Sequence, residues 1–212
     1  TPLERVKQWI DMRREWTDRF GFVASAVASH PNIDDICLYC DELGVKVSYS
    51  SVRAEDITPV MINSLARSGT QTLTIAPEAG SFRLRRLLGK ARLTDERIMW
   101  VVEEGVNAGI PNLKMYFMIG LPTETEEDIR AIPDLIRKVQ KVFVAASRPR
   151  GRIGTISLNV GIFVPKPNTP LERFDPMPIR QARRHSGLLQ KELNRLNNVK
   201  YQAPSTSAAQ VQ

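Results

Sequence analysis

Cys37 and Cys40 form a C-x-x-C pair within "DDICLYCDELG", a spacing that can serve a redox couple or half of a zinc site. These are the chain's two cysteines, so no second pair completes a tetrahedral shell, and its two histidines, His30 and His185, lie far apart in sequence. The ordinary reading is a pair of helical thiols in a reducing cytoplasm, and no metal-ligand set is expected within this chain. Glu78 in "APEAGS" and Lys114 in "NLKMYFMIGLP" bring a carboxylate and an amine to successive strands, which in a barrel enzyme could do acid–base work. The third feature is "KMYFMIGLPTETEED", where a hydrophobic run stops at Gly120-Leu121-Pro122. Gly120 would let the backbone approach a ligand closely and Pro122 would stiffen the turn.

The elements that must position these residues are legible as an alternation. A helix over about 2–18 precedes the strand "FGFVASAV"; "NIDDICLYCDEL" is a helix stopped by Gly44, and "VKVSYSS" is the second strand. "ITPVMINSLARSG" is a helix with Pro59 in its first turn and Gly69 after its end. "TQTLTIAPEAGS" is the third strand, followed by the short basic helix "FRLRRLLGK" and the helix "TDERIMWVVEEGVNAG". "NLKMYFMIGLP" is the fourth strand, and Thr125 with Asp128 starts the next helix as a capping box, with Pro133 inside it. "GTISLNVGIFVP" is the fifth strand and "PIRQARRHSGLLQKELNRL" the last long helix. Strand–helix alternation of this kind argues for βαβ units and a parallel sheet, each strand apolar on both faces beneath covering helices. Five strand ends in succession turn polar ("SAVASHP", "SYSSVRAED", "APEAGS", "GLPTET", "VPKPNTP"), which favours an arc of a β/α barrel with its site at the carboxyl ends.

Bulk properties narrow the class. A length of 212 residues, 42% hydrophobic and 25% charged, suits one sizeable core, and no apolar run reaches the roughly 20 residues of a spanning helix. The chain opens in a polar helical pattern, without a signal-peptide pattern. The formal charge of +7 keeps RNA as an alternative partner, although "SRPRGR" and "RQARR" are the local basic clusters and neither is interleaved with aromatics.

Three motifs in this order resemble the radical S-adenosylmethionine superfamily. "TLTIAPEAGSFRLRRLLGK" is similar to that family's fourth-strand motif, "LKMYFMIGLPTETEEDI" to its fifth and "IFVPKPNTPLERF" to its sixth. The likeness runs from about Phe20 to Val211. It is greatest to the elongator-catalytic-subunit, methylthiotransferase and nitrogenase-cofactor-protein group, in its cobalamin-domain-associated branch. The family's CxxxCxxC cluster motif is missing, and "CLYC" has neither its spacing nor its place; Phe82 is a second departure, where the family often carries an acid. The resemblance therefore implies a partial TIM-type (β/α)6 barrel of the α/β class over residues 1–200. Its first strand and cluster loop would lie before residue 1, and 201–212 would be a polar tail leading onward.

The resemblance also implies a chemistry: S-adenosylmethionine and a 4Fe-4S cluster, with ligands outside this chain, generate a 5′-deoxyadenosyl radical, and cobalamin occupies an upstream domain. These residues alone would be inactive, so no catalytic residue is assigned among them. Ser25 and Ala26 would receive the cofactor's amino group through backbone atoms, and Ser50 and Arg53 would face the same mouth. Glu78 and Ser81 would bond the ribose or the methionyl carboxylate. Gly120, Pro122 and Phe163 would enclose adenine, and Lys166 and Asn168 would face substrate. Ordinary alternatives stand beside each: Glu78 as a helix N-terminal acid, Arg53 as a surface ion-pair partner, Ser25 and Ser50 as small packing residues, Gly120 as a turn residue and Lys166 as a solvated side chain. A non-catalytic RNA-binding or assembly module is the competing function.

Overall fold

Helix punctuation is realised in the places that the turn residues mark. The computed structural model describes residues 1–50 and 52–203. In chain order its elements are helix α1 (Leu3–Arg13), strand β1 (Arg19–Phe22), helix α2 (Ile33–Glu42), strand β2 (Lys46–Tyr49), helix α3 (Pro59–Arg67) and strand β3 (Thr72–Glu78). There follow helices α4 (Phe82–Leu87) and α5 (Asp95–Ala108), strand β4 (Asn112–Ile119), helix α6 (Glu126–Ser147), strand β5 (Ile156–Ile162), helix α7 (Ile179–Leu193) and strand β6 (Val199–Gln202). Thr58, Ser81, Thr94 and Thr125 each accept a backbone N–H from the first turn of the helix they precede, replacing a bond the helix cannot supply itself. The capping box at Thr125 and Asp128 forms in both directions, and α6 runs continuously through Pro133.

Every described strand pairing is parallel. The strands form two sheets, β1-β2 and β3-β4-β5-β6, each in sequential order. Sequential order without a switch point is the winding of a barrel arc rather than of a doubly wound sheet. The expected sheet of five strands is thus divided between β2 and β3. It is also extended by β6, a four-residue strand in the polar sequence after α7. The boundary expected at residue 200 falls inside that strand. Residues 204–212 of the expected tail lie outside the described residues.

One expectation about the strands is corrected. They are not apolar on both faces: β4 and β5 alternate strictly, with Leu113, Met115, Phe117 and Ile119 buried and Lys114 and Tyr116 more open. Helices cover one face only; the concave face is uncovered, and polar side chains occupy it. On the covered face, Leu73 and Ile75, Met115 and Phe117, and Leu158 and Val160 pack against α3, α5, α6 and α7 in the main core. Each such fully buried side chain contributes about 1.5–3 kcal/mol. A smaller core of Ile10, Ile36, Cys40, Val45 and Val47 lies under β1 and β2.

Two elements are shorter than the sequence pattern implies. α1 ends at Arg13, leaving Trp16 80% exposed, and β1 ends at Phe22, leaving Val23 83% exposed; each residue therefore lacks the burial that an apolar pattern presumes. No helix among the described residues is long and apolar enough to cross a membrane.

Candidate functional site

The first side of the site is the end of β3. Glu78, its last residue, has φ +68°, a conformation that costs a non-glycine residue on the order of 1 kcal/mol or more. Glu78 is a strand residue, so its reading as a helix N-terminal acid does not hold. Lys90 fixes it, donating from Nζ to Glu78 Oε1 at 3.1 Å and to the Ala76 carbonyl at 2.5 Å. Beyond it, Gly80 lies so close to α6 that a Cβ there would stand 2.3 Å from the Ile132 nitrogen, so only glycine fits. Ser81 caps α4 and also donates to Asp128 at 2.5 Å. Both roles are internal to the fold. Arg85 is fully buried: its guanidinium donates to the carbonyls of Leu93, Ala79 and Gly80 at 2.9, 3.3 and 2.8 Å and pairs with Asp95. The basic helix "FRLRRLLGK" thus clamps the loop that follows Glu78.

The second side is the end of β4. Gly120 has φ +85°, open to glycine at little cost. A Cβ on it would lie 2.9 Å from the Cβ of Met177, so it is the chain's own Met177 that makes the close approach on that side. Leu121 and Pro122 are buried, and Thr123 has φ +62°. The Glu124 carboxyl accepts the Gly120 amide at 2.7 Å, and burial pushes its pKa up to about 7. Asp128 gathers Ser81, Thr125 and Arg83, and these bonds hold its carboxyl below the usual aspartate range despite its burial. Arg83 also donates to the Thr123 carbonyl at 2.8 Å, so α4 and the turn after β4 are tied together.

The third side is the end of β5. The Phe163 amide donates to the Ile119 carbonyl at 2.8 Å, and its ring joins Met118, Ala79, Leu84 and Leu121 in a separate small core. Lys166 and Asn168 are exposed in the following segment. There Asn168 has φ +60° and donates its amide to Glu172 at 2.7 Å.

Glu78, Ser81, Gly120, Pro122 and Phe163 are therefore brought to one edge, across three adjacent parallel strands. Ser25, Ala26, Ser50 and Arg53 follow the ends of β1 and β2 in the other sheet, with the Ser50 amide donating to the Phe22 carbonyl at 3.1 Å. Arg53 is already partnered, with Glu55 at 2.7 Å and Asp56 at 3.8 Å. The acid–base pairing of Glu78 with Lys114 is not formed. Glu78 is in register with Phe117, three residues along β4 from Lys114, which separates the two levels by about 10 Å.

Glu124, Lys90 and Arg85 were not singled out from the sequence. Glu124 sits in an acidic run that a helix N-terminus explains, and Arg85 in a run of arginines that reads as solvated. The available signal for Glu124 is its place just before the capping Thr125, outside the helix whose N-terminus the other acids serve.

The residues present fit one implied group and not the other. Glu78, a partly buried carboxylate at the end of β3, together with the partly buried apolar Met118 and Phe163 at the same edge, offers the polar and flat contacts that an adenosine moiety requires. No group of three or more His, Cys, Asp or Glu among the described residues is placed to hold a metal. Cys37 and Cys40 are buried at the α2 interface, with burial pushing their pKa values to about 11 and about 12. Cys37 lies 2.9 Å from the Tyr49 hydroxyl. Such thiols are packing residues, not thiolate ligands. The two basic clusters are partly engaged as well: Arg150 donates to the Asn107 carbonyl and Arg184 pairs with Glu126.

Comparison with known proteins agrees with the fold. The model of the Radical SAM superfamily matches residues 1–136. The uncharacterised protein MJ0966 of Methanocaldococcus jannaschii is 32% identical over 177 residues, covering 82% of this chain and 37% of that protein. The tRNA-2-methylthio-N(6)-dimethylallyladenosine synthase of Pseudothermotoga lettingae is 27% identical over 155 residues, covering 69% of this chain and 32% of the synthase. The chain thus spans about a third of the length of these relatives. SuiB of Streptococcus suis, in a crystal structure bound to S-adenosylmethionine, shares the fold with a TM-score of 0.57 at 15% identity, covering 94% of this chain and 43% of SuiB. With its parallel strand arc, its strand-end edge and the family match over most of its length, the chain belongs to the radical SAM superfamily.

Proposed function

We propose that these residues are the S-adenosylmethionine-binding part of a radical SAM enzyme. One observation carries the reading. The positive-φ residues other than glycine among those described are Glu78, Thr123, Asn168 and Asn198, and the first three follow or end β3, β4 and β5. Positive-φ backbone at the end of β3 and in the segments that follow β4 and β5 is a mark of a ligand site, because a fold keeps such conformations only where the surroundings enforce them.

In this reading Glu78 binds the ribose hydroxyls, and the partly buried Met118 and Phe163 form the surface for adenine. The backbone around Gly120 and Pro122 borders that surface. Ser25 and Ala26 receive the amino group from the other sheet, with Ser50 and Arg53 at the same mouth, and Ser81 acts by holding α4 in place. Lys166 and Asn168 stand toward substrate. S-adenosylmethionine and a 4Fe-4S cluster, when bound, supply the radical chemistry; the chain's own part is to bind, orient and exclude water. The cluster ligands lie outside these residues, which are inactive without them. The finer likeness to the cobalamin-associated and elongator-like group rests on the same strand-end sequences and belongs to this reading.

Isothermal titration of S-adenosylmethionine into the cluster-loaded parent polypeptide tests it. Replacing Glu78 with Ala is expected to weaken binding at least tenfold. Unchanged affinity in that variant would remove Glu78 from the site and the reading with it.

A further inference from the structure

The concave face left open by the helices is patterned in rows. Register places Thr74, Lys114, Ser157 and Lys200 side by side across β3, β4, β5 and β6. One level nearer the strand ends, Tyr116, Asn159 and Gln202 form a second row. These residues alternate with the buried positions of the core, so their side chains stand on the uncovered side. Lys114 lies over the Tyr116 ring, its Nζ 5.0 Å from the ring centre. Neither lysine has an ion-pair partner among the described residues, in a chain where Lys90, Arg53, Arg83, Arg85 and Arg184 all do.

Among the described residues, β3–β6 place no acid on this face below the strand ends. At the uncovered positions of these strands the sequence offers hydroxyls, amides, a phenol and two amines, with Ala76, Met118 and Gly161 nearer the strand ends. The one carboxylate within these strands is Glu78, at the end of β3 and paired with Lys90. Lys114 and Lys200 stand two strands apart, about 10 Å between backbones, a span that two flexible side chains close around one acid group. Asn159 and Gln202 each offer a donor and an acceptor above it.

We infer that this face binds an anionic substrate, whose carboxylate or phosphate is received by Lys114 and Lys200 while its polar body lies against Tyr116, Asn159 and Gln202. The inference rests on the proposed function, since it supplies the substrate class for the same cavity. Lys114 lies six residues before Gly120, about 20 Å along the strand, so the acid group is remote from the rim and the reacting part of the substrate points toward it. The acid is thus a handle for orientation and not a reacting group.

Titration of the parent polypeptide with inorganic pyrophosphate and, separately, with glutarate tests this and separates the two acid types. At least one is expected to bind. Its affinity should fall with added salt and drop at least fivefold in both Lys114→Gln and Lys200→Gln, while Lys141→Gln on the exposed side of α6 is unchanged. Tighter binding of pyrophosphate assigns a phosphate, and tighter binding of glutarate a carboxylate. No binding of either probe, or binding equal in all three variants, would overturn the inference. Melting within a few degrees of wild type establishes that the variants fold. S-adenosylmethionine affinity, measured on the same samples, is expected to be unchanged; its absence from the wild type would sink the proposed function separately, because the probe titrations need no cofactor.

Discussion

The Glu124 carboxyl accepts the Gly120 amide at 2.7 Å, joining the end of β4 to the start of α6 across the turn that carries Thr123 at φ +62°. Burial holds the proton on this group until about pH 7, against 4.5 for an ordinary glutamate. Between those values the folded state carries a proton the unfolded chain has lost. Stability is therefore expected to fall as pH rises through this window, by about 2–3 kcal/mol, and to level off above it. Urea denaturation across pH 4–8 measures the slope, and Glu124→Gln, which keeps an acceptor for Gly120, should remove that share of it. Asp128, held below its ordinary value, contributes in the opposite sense and at lower pH, losing its stabilisation as pH falls below about 4. An unchanged slope in the Gln variant would show that Glu124 titrates normally.

Arg85 binds three carbonyls and Asp95 from a fully buried position. Arg85→Met should cost about 3–5 kcal/mol, since it strands buried acceptors and a carboxylate. Arg85→Lys should recover less than half, because one ammonium cannot reproduce the planar fork. Denaturation midpoints measure both, and a Met variant as stable as wild type would refute the clamp.

Gly120→Ala meets two penalties. The φ of +85° costs an alanine about 1 kcal/mol, and the added Cβ meets Met177 at 2.9 Å. In a Met177→Gly background, which removes the Cβ that is met, the steric part of the cost should vanish and the conformational part remain, so the double-mutant cycle should show favourable coupling. Additive losses would mean that Met177 does not rest on Gly120.

Cys37 and Cys40 should react with iodoacetamide only when the chain unfolds, because both thiols are buried and their pKa values are raised. Replacing both with Ser should leave the iron content of the reconstituted parent polypeptide unchanged. Lost iron would make "CLYC" a cluster ligand after all.

How much of this was readable in the sequence depends on the range of the forces involved. Capping at Thr58, Thr94 and Thr125, the Gly109 stop of α5 and the order of β3, β4 and β5 are local or periodic, and they appear in the structure where the sequence places them. Lys114, Tyr116, Ser157 and Asn159 spell the polar character of the concave face at period two, which the general rule that parallel strands are covered on both faces conceals. β6 has four residues, of which Lys200 and Gln202 are polar, and only its pairing with β5 defines it. Arg85 and Glu124 owe their importance to burial by α5 and α6, distant in sequence, and residue type alone points both toward solvent. Gly120 was read as an approach for a ligand; the neighbour that approaches it is Met177, 57 positions along the chain.

Whether the ends of β3, β4 and β5 hold S-adenosylmethionine decides the proposed function. Ultraviolet cross-linking of radiolabelled S-adenosylmethionine to the cluster-loaded parent polypeptide, followed by peptide mapping, reads this directly. Label is expected in peptides containing Glu78, Gly120 and Phe163. Label confined to α1, around Trp9 and Met12, or found on other segments remote from the strand ends, would contradict it.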